Sequence, residues 1–342
     1  MAEKSKIILL SGLQPTGPLH LGNYLGAVRN FVRLQDEFAG RFFVFVADYH
    51  SLTENYDPKE KQNQILMLGA ELLAAGLDPK KVTLYVQSDI PEVTELCWVF
   101  NTVTPISFLE RMTQFKDKAS RQKENINMGL FDYPVLQAAD ILLPKAAAVP
   151  VGEDQVQHVE LTRDIARFFN RKFGETFPES KPVLTATPRV MSLSEPEKKM
   201  SKSIPGSFIS LSDSPEEIKQ ALRRAVTDTG PGPGRSDLPR RSDLQAMSPG
   251  VANLFGLLRE FGTPEDVGAM ERAYRGGTIK YVELKDLLAA RIAEYFSEFR
   301  KKRAQLLKNP SAVKKIFAAG GKKIRAIASK TMREVRQKVG LR

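Results

Sequence analysis

The sequence predicts an α/β fold, a doubly wound and mainly parallel sheet over residues 1–205, followed by an α-helical region over residues 206–342. Short apolar runs alternate with amphipathic stretches through the first 200 residues, as strands and their crossover helices do. Beyond residue 205 the β signals fade and helix starts take over. A chain of 342 residues also exceeds what one core usually fills, so two domains are expected.

The elements follow in order. Ile7–Leu10, Phe42–Ala47, Val82–Val86 and Ala148–Val151 read as strands. Leu21, Tyr24, Leu25, Val28, Phe31 and Val32 recur at helical spacing, which predicts a helix over Gly22–Gln35. A second covers Lys59–Ala75, stopped by Gly76 and Asp78-Pro79. Ser214-Pro215-Glu216-Glu217 is a helix start with Ser as N-cap and Glu at the capping-box position. Gly230 to Arg235, continuing to Asp243, reads as an exposed, mobile linker; its G-x-G spacing follows no strand and carries no nucleotide-binding weight. Gly320-Gly321 is expected to separate two final basic helices.

Composition excludes several classes. Apolar residues make up 42% and charged ones 27%, and no uncharged apolar run is long enough to cross a membrane, so no membrane partner is expected. The apolar run Ile7–Leu10 is too short for a signal-peptide core, which points to the cytoplasm. With Cys97 as the single cysteine and three histidines, a disulfide within the chain or a structural zinc site is not expected. Any metal must be held by oxygens or by a substrate. The net charge of +11 is uneven: residues 301–342 hold 14 Lys and Arg against Glu334 alone, +13, while the other 300 residues sum to −2. Such a tail suits a polyanion, nucleic acid first, although a solvated basic helix has the same composition.

Two segments carry chemistry. The first strand runs into Ser11-Gly12-Leu13-Gln14-Pro15-Thr16-Gly17-Pro18-Leu19-His20-Leu21-Gly22-Asn23, glycines and prolines between a strand end and a helix start. Doubly wound sheets bind ligands there, and His20 and Asn23 can donate to phosphoryl oxygens. A plain turn has the same look, and no Walker loop occurs in the chain. Lys198-Lys199-Met200-Ser201-Lys202-Ser203 lies at the junction of the two halves. Lys199 and Lys202, with the hydroxyls of Ser201 and Ser203, suit a clamp on a polyphosphate leaving group. Taken alone, Lys198-Lys199 reads as a solvated pair, as lysine runs on loops usually are.

Together, His-Leu-Gly-Asn and Lys-Met-Ser-Lys-Ser resemble the paired signature of class I aminoacyl-tRNA synthetases. Asp132-Tyr133-Pro134-Val135-Leu136-Gln137-Ala138-Ala139-Asp140-Ile141-Leu142 resembles the specificity helix of the bacterial tryptophan enzymes. Val149 to Gln155, His158 to Asp164, Arg111 to Lys116 and Ala225 to Asp228 are similar to further segments of that group. With Pro134 at the first helical position, Tyr133, Gln137 and Asp140 share one helical face.

The resemblance implies a Rossmann-like catalytic domain followed by an anticodon-binding helical region. It implies adenylation of L-tryptophan by ATP with Mg²⁺, transfer to tRNA(Trp), and a homodimer. His20, Lys199 and Lys202 would be catalytic. Gln14, Pro15, Thr16, Gly22, Asn23, Gly152, Glu153, Asp154, Val190, Met200, Ser201 and Ser203, with the two lysines, would bind ATP. Asp140, Gln155, Tyr133, Gln137, His50 and Gly12 would bind tryptophan, Asp140 taking the indole N–H. Asp140 taken alone also fits a surface salt bridge, and His50 a core or capping role. Asn23 replaces the second histidine of the signature, and Gln137 stands where some bacterial members have Met. Because glutamine here also occurs in tyrosine enzymes, tyrosine specificity is the nearest competitor, and a coenzyme nucleotidyltransferase or a non-catalytic relative the next.

Overall fold

A strand buried on both faces must find two neighbours and two covering layers, and four near-continuous apolar runs in this chain do so in one parallel sheet. The structure, a computed structural model, describes residues 7–113, 126–184, 189–227 and 247–342. β1 (Ile8–Leu13), β2 (Arg41–Val46), β3 (Val82–Val86), β4 (Ala148–Val151) and β5 (Lys181–Leu184) lie in the order β3-β2-β1-β4-β5. Every pairing is parallel, with Gly12 opposite Phe45, Phe45 opposite Tyr85, and Val149 opposite Pro182. Chain order reverses between β1 and β4, which is where an open α/β sheet forms its crevice.

Around the strands run α1 (Arg29–Glu37), α2 (Pro58–Ala74), α3 (Glu92–Asn101), α4 (Ile106–Glu110), α5 (Met128–Leu142) and α6 (Val156–Phe173). The predicted Gly22–Gln35 helix is present as a short turn, Leu21–Asn23, a π turn at Tyr24–Val28, and α1. The α5 helix begins earlier than Pro134, because the side chain of Asn127 accepts from Leu130 N and caps it there; Pro134 is therefore inside the helix. Phe100, Phe169 and Phe177 meet edge to face at 5.0–6.1 Å between α3, α6 and the segment before β5.

The remaining helices are α7 (Pro215–Arg224), α8 (Pro249–Phe261), α9 (Pro264–Arg275), α10 (Tyr281–Tyr295), α11 (Ser297–Lys308) and α12 (Pro310–Val339). Ser214 and Glu217 form the predicted capping box of α7. The linker expected over residues 230–243, with Gln114, Phe115, Lys116 and Asp228, lies outside the described residues.

Gly320 and Gly321 do not interrupt the final helix; α12 runs through both. A Cβ on Gly320 would stand 2.0 Å from the carbonyl oxygen of Leu84, so this glycine lets the α12 backbone lie directly against the edge strand β3. That close approach offsets the helix propensity two glycines forfeit. Val313, Phe317, Ile324, Ala328, Met332 and Val335 are buried along the same helix.

Packing divides the chain differently from a single cut at residue 205. One unit comprises Met1–Gly17, Asn30–Ala186 and Leu306–Arg342, and the other Pro18–Arg29 and Thr187–Gln305. The sheet and α12 belong to the first. In the second, α7 and α8 pack on α10, and Tyr24, Phe261, Tyr295 and Phe296 form an aromatic cluster in which the Tyr24 and Tyr295 hydroxyls are 2.8 Å apart.

Candidate active site

In the first unit, chemistry gathers at the C-terminal ends of the strands. Gln87 follows β3, Asp48 to His50 follow β2, Gln14 to Thr16 follow β1, and Gly152 to Gln155 follow β4. Parallel strands aim successive loops at one edge, so residues far apart in sequence become neighbours there.

The centre of this edge is Asp140, which is 5% exposed. His50 Nε2 donates to its Oδ2 at 2.8 Å. Gln87 Nε2 lies 2.9 Å from both carboxylate oxygens, while Gln87 Oε1 accepts from Tyr49 N at 3.1 Å. Burial pushes the Asp140 carboxyl up from 3.8, and the hydrogen bonds from His50 and Gln87 pull against that rise. A carboxylate offers four acceptor positions, and these donors leave Oδ1 room for one more. Asp140 is neither a surface acid nor an exposed salt bridge.

The loop bearing His50 is fixed by its own network. Asp48 Oδ1 accepts from Tyr49 N and Ser88 N, Ser51 Oγ donates to the Asp48 carbonyl at 2.6 Å, and buried Lys61 donates to Ser51 Oγ at 2.9 Å. Tyr133, seven residues before Asp140 on α5, shares a hydrogen bond of 2.9 Å with His158 Nε2 and stands edge-on to His50, 6.3 Å between ring centres. Gln137 Nε2 donates to Gln155 Oε1 at 3.5 Å. Asp140, His50, Tyr133, Gln137 and Gln155 are thus brought together by α5 and the loops that meet it.

Gly12 lies in β1 where the ring of Phe45 covers it; a Cβ would stand 2.6 Å from that ring. Thr16 N donates to the Gln14 carbonyl in the turn after β1. Gly152 precedes a turn at Glu153–Gln155, and Glu153 and Asp154 are exposed at the end of β4. Sequence reasoning misses Gln87, whose one signal is its place immediately after the strand Val82–Val86.

The second unit carries both signature motifs. His20 forms an antiparallel bridge with Ser210, Leu21 N donates to the Ile209 carbonyl, and Leu211 N to the Leu19 carbonyl. The segment after the lysine-serine loop is thereby tied to His-Leu-Gly-Asn across nearly the whole intervening sequence. Asn23 N donates to His20 Nδ1, and His20 N donates to Asn23 Oδ1, both at 3.3 Å. Asn23 therefore completes a capping box around the histidine. Gly22 is needed under the imidazole, since a Cβ there would lie 2.9 Å from His20 Cε1.

His20 is 6% exposed. Burial first, then the charges of Lys202 and Lys199, lower its pKa from 6.5 to about 3. The ring is neutral near pH 7. With Nδ1 accepting from Asn23, its proton sits on Nε2, ready to donate to a phosphoryl oxygen.

Lys199 and Lys202 border a hairpin closed by Met191 opposite Lys199 and by Met200 N donating to the Val190 carbonyl. Val190 and Met200 therefore pair with each other at its base. Ser201 Oγ and Ser203 Oγ are 2.8 Å apart, and Ser201 N donates to Ser207 Oγ. Gly206 at φ +69° closes the loop in a conformation that favours glycine. Lys198 is ion-paired with Glu195 at 2.5 Å, and the neighbouring Lys199 is exposed.

Residues 2–297 match the family model described as tRNA synthetases class I (W and Y). The chain is 43% identical over 340 residues to Tryptophan--tRNA ligase 2 of Streptomyces avermitilis, covering 97% of this chain and 96% of the relative. It is likewise 43% identical over 343 residues to the tryptophan--tRNA ligase of Rickettsia conorii, with 98% and 99% covered. Among solved structures, the tryptophanyl-tRNA synthetase of Campylobacter jejuni complexed with ADP and tryptophan superposes with a TM-score of 0.83 at 35% identity, covering 98% of this chain and all of that one.

The depressed His20 pKa has a consequence in solution. The unfolded chain takes up a proton on this histidine near 6.5 and the folded one only near 3, so its contribution to stability is full above 6.5 and is lost as pH falls towards 3. In NMR, the His20 ring should keep its neutral Nε2–H signature down to about pH 5. A midpoint near the ordinary histidine value would contradict the burial and lysine effects.

Proposed function

The chain belongs to the class I tRNA synthetases of the W and Y group and is a tryptophan--tRNA ligase, and from that premise we propose how its residues divide the work. The enzyme activates L-tryptophan with ATP, giving tryptophanyl-adenylate and pyrophosphate, and then transfers the tryptophanyl group to the 3′ end of tRNA(Trp). The observation that carries the amino-acid assignment is Asp140: a buried carboxylate with an acceptor position left over. Indole supplies the matching N–H, and phenylalanine has none. A site that strands a buried acceptor when the wrong side chain enters discriminates strongly, so no editing site is required. Gln155 takes the α-amino or carboxyl group, Tyr133, Gln137 and His50 form the walls, and Gly12 offers its backbone near the end of β1.

A carboxylate oxygen of tryptophan attacks the α-phosphorus; the new O–P bond forms as the bond to the pyrophosphate oxygen breaks. The nucleophile is already ionised at neutral pH, so catalysis consists of positioning and of neutralising the departing charge. Lys199, Lys202 and the Nε2–H of His20 do that work, assisted by Ser201 and Ser203. Gln14, Pro15, Thr16, Gly22, Asn23, Gly152, Glu153 and Asp154, with the backbone of Val190 and Met200, hold the nucleotide. Mg²⁺ would arrive with ATP, held largely by phosphate oxygens and water, and would neutralise charge on the departing pyrophosphate.

The 2′-hydroxyl of the terminal adenosine then attacks the acyl carbon of the adenylate; the ester bond forms as the bond to the phosphate oxygen breaks, releasing AMP and the hydroxyl proton. Residues 206–342 are read as the anticodon-binding region with the basic C-terminal helices, and Lys315, Lys322 and Arg333 of α12 present charge to the tRNA backbone. No helix among the described residues is long and apolar enough to cross a membrane. Because its substrate is tRNA(Trp), we place the enzyme in the cytoplasm.

Two measurements test these assignments. Purified enzyme should catalyse ATP–pyrophosphate exchange with tryptophan and not with tyrosine or phenylalanine, and Lys202→Ala should lower exchange about a hundred-fold or more while tryptophan affinity stays within about two-fold. Exchange with tyrosine would overturn the pocket reading, and equal losses in both properties would remove Lys202 from the transition state. A second copy of the chain is assigned to the apolar side chains of Trp98, Ile106 and Met128, 72%, 65% and 73% exposed on α3, α4 and α5, with both of the first two helices packed on the third. Sedimentation should give a dimer that Trp98→Glu weakens; a monomeric parent would refute it.

A further inference from the structure

The hairpin from Val190 to Met200 has an unusual support. Its inner strand pairs with the outer one where Ser192 N donates to the Lys198 carbonyl and Met200 N to the Val190 carbonyl, and beyond Ser192 it continues through Leu193 N to the Ser207 carbonyl. At Met191, on the side away from the outer strand, the partner is a side chain. Asn253 Oδ1 accepts from Met191 N at 3.2 Å, and Asn253 Nδ2 donates to the carbonyls of Met191 at 3.0 Å and Ser192 at 3.4 Å. The amide thus stands in for the peptide group of a missing strand, satisfying both backbone polar groups of Met191. Asn253 is itself only 8% exposed.

Val190, Ser192, Leu193 and Met200 are buried, but packing towards α8 is incomplete. A cavity of about 380 Å³, bordered by Val190, Met191, Pro196, Ala252, Leu257 and Leu25, separates this part of the hairpin from α8 and the turn after His20. Close-packed side chains normally fix such a segment, and on this one side an opening takes the place of some of them. The α8 helix can serve as an anchor because its own start is pinned. Ser248 Oγ donates to the Thr227 carbonyl, Val226 N donates to the Leu193 carbonyl, and a Cβ on Gly250 would collide with the Val226 carbonyl at 2.3 Å. Asn253 lies one turn into this pinned end.

We propose that Asn253 is a positioning residue for ATP: it sets the backbone of Val190–Ser192, and through the paired strand the placement of Met200, Lys199 and Lys202. This rests on the reading that the adenine and phosphates of ATP are held by that hairpin and loop. Asn253 touches neither substrate in this scheme. Its loss lets the base-reading backbone move into the adjoining cavity, so selection among nucleotides weakens while the tryptophan site of the other unit is untouched.

The test combines hydrogen–deuterium exchange with exchange kinetics on the full-length enzyme, Asn253→Ala and Asn253→Asp. In Asn253→Ala, amides of residues 189–200 should lose protection, KM for ATP should rise about ten-fold or more, and the preference for ATP over GTP should shrink, with KM for tryptophan unchanged. Asn253→Asp is isosteric but faces two carbonyl oxygens with a carboxylate. It should resemble the alanine variant, whereas a residue needed only for its shape would retain parental kinetics. Loss of protection with parental KM for ATP and parental nucleotide preference would overturn the proposal. Failure of ATP to protect residues 189–203 in the parent enzyme would remove the underlying reading, and the proposal with it, without reference to either variant.

Discussion

A carboxylate sealed from water is costly unless donors are fixed around it, and the first unit is organised by how Asp140 meets that requirement. His50 and Gln87 each come from the C-terminal end of a strand, so the carboxylate holds its partners only if β2 and β3 are in register and α5 crosses above them. Asp48, Ser51 and Lys61 then serve to keep His50 in place. The arrangement leaves one acceptor position open, and selectivity for an N–H donor follows from the cost of leaving it unmet.

The second unit solves the opposite problem. Here positive charge must be gathered for a leaving polyphosphate without the site repelling itself. Burial and two lysines keep His20 neutral, so it contributes a directed N–H rather than a third charge. Asn23 fixes which nitrogen carries that proton. The asparagine that replaces a histidine in the signature therefore acts on the remaining histidine, and its lack of an ionisable group removes a further source of repulsion.

Much of this is legible in the amino acids themselves. β1 to β4, the capped start of α7 and both signature motifs follow from periodicity and residue type, because each is a local pattern. β5 does not: β4 is equally short and also holds a proline, but Lys181–Leu184 begins with a charged residue and none of its residues is buried, so it has no apolar run to read. Gln87 and Asn253 act through partners 53 and 62 residues away, and nothing local distinguishes them from other polar side chains. The charge of the tail masks an apolar repeat through Val313, Phe317, Ile324, Ala328, Met332 and Val335; that repeat seats α12 in the sheet-bearing unit. Gly320 signals a break in sequence and serves a close approach in the fold.

The central claim is that Asp140 selects tryptophan by accepting its indole N–H. The most direct measurement compares kcat/KM in pyrophosphate exchange for tryptophan and for its benzothiophene analogue, in which sulfur replaces N–H, in the parent enzyme and in Asp140→Ala. The parent should strongly prefer tryptophan and the variant should have lost most of that preference, a coupling specific to the pair. An equal preference in both proteins would show that the carboxylate does not read the indole nitrogen.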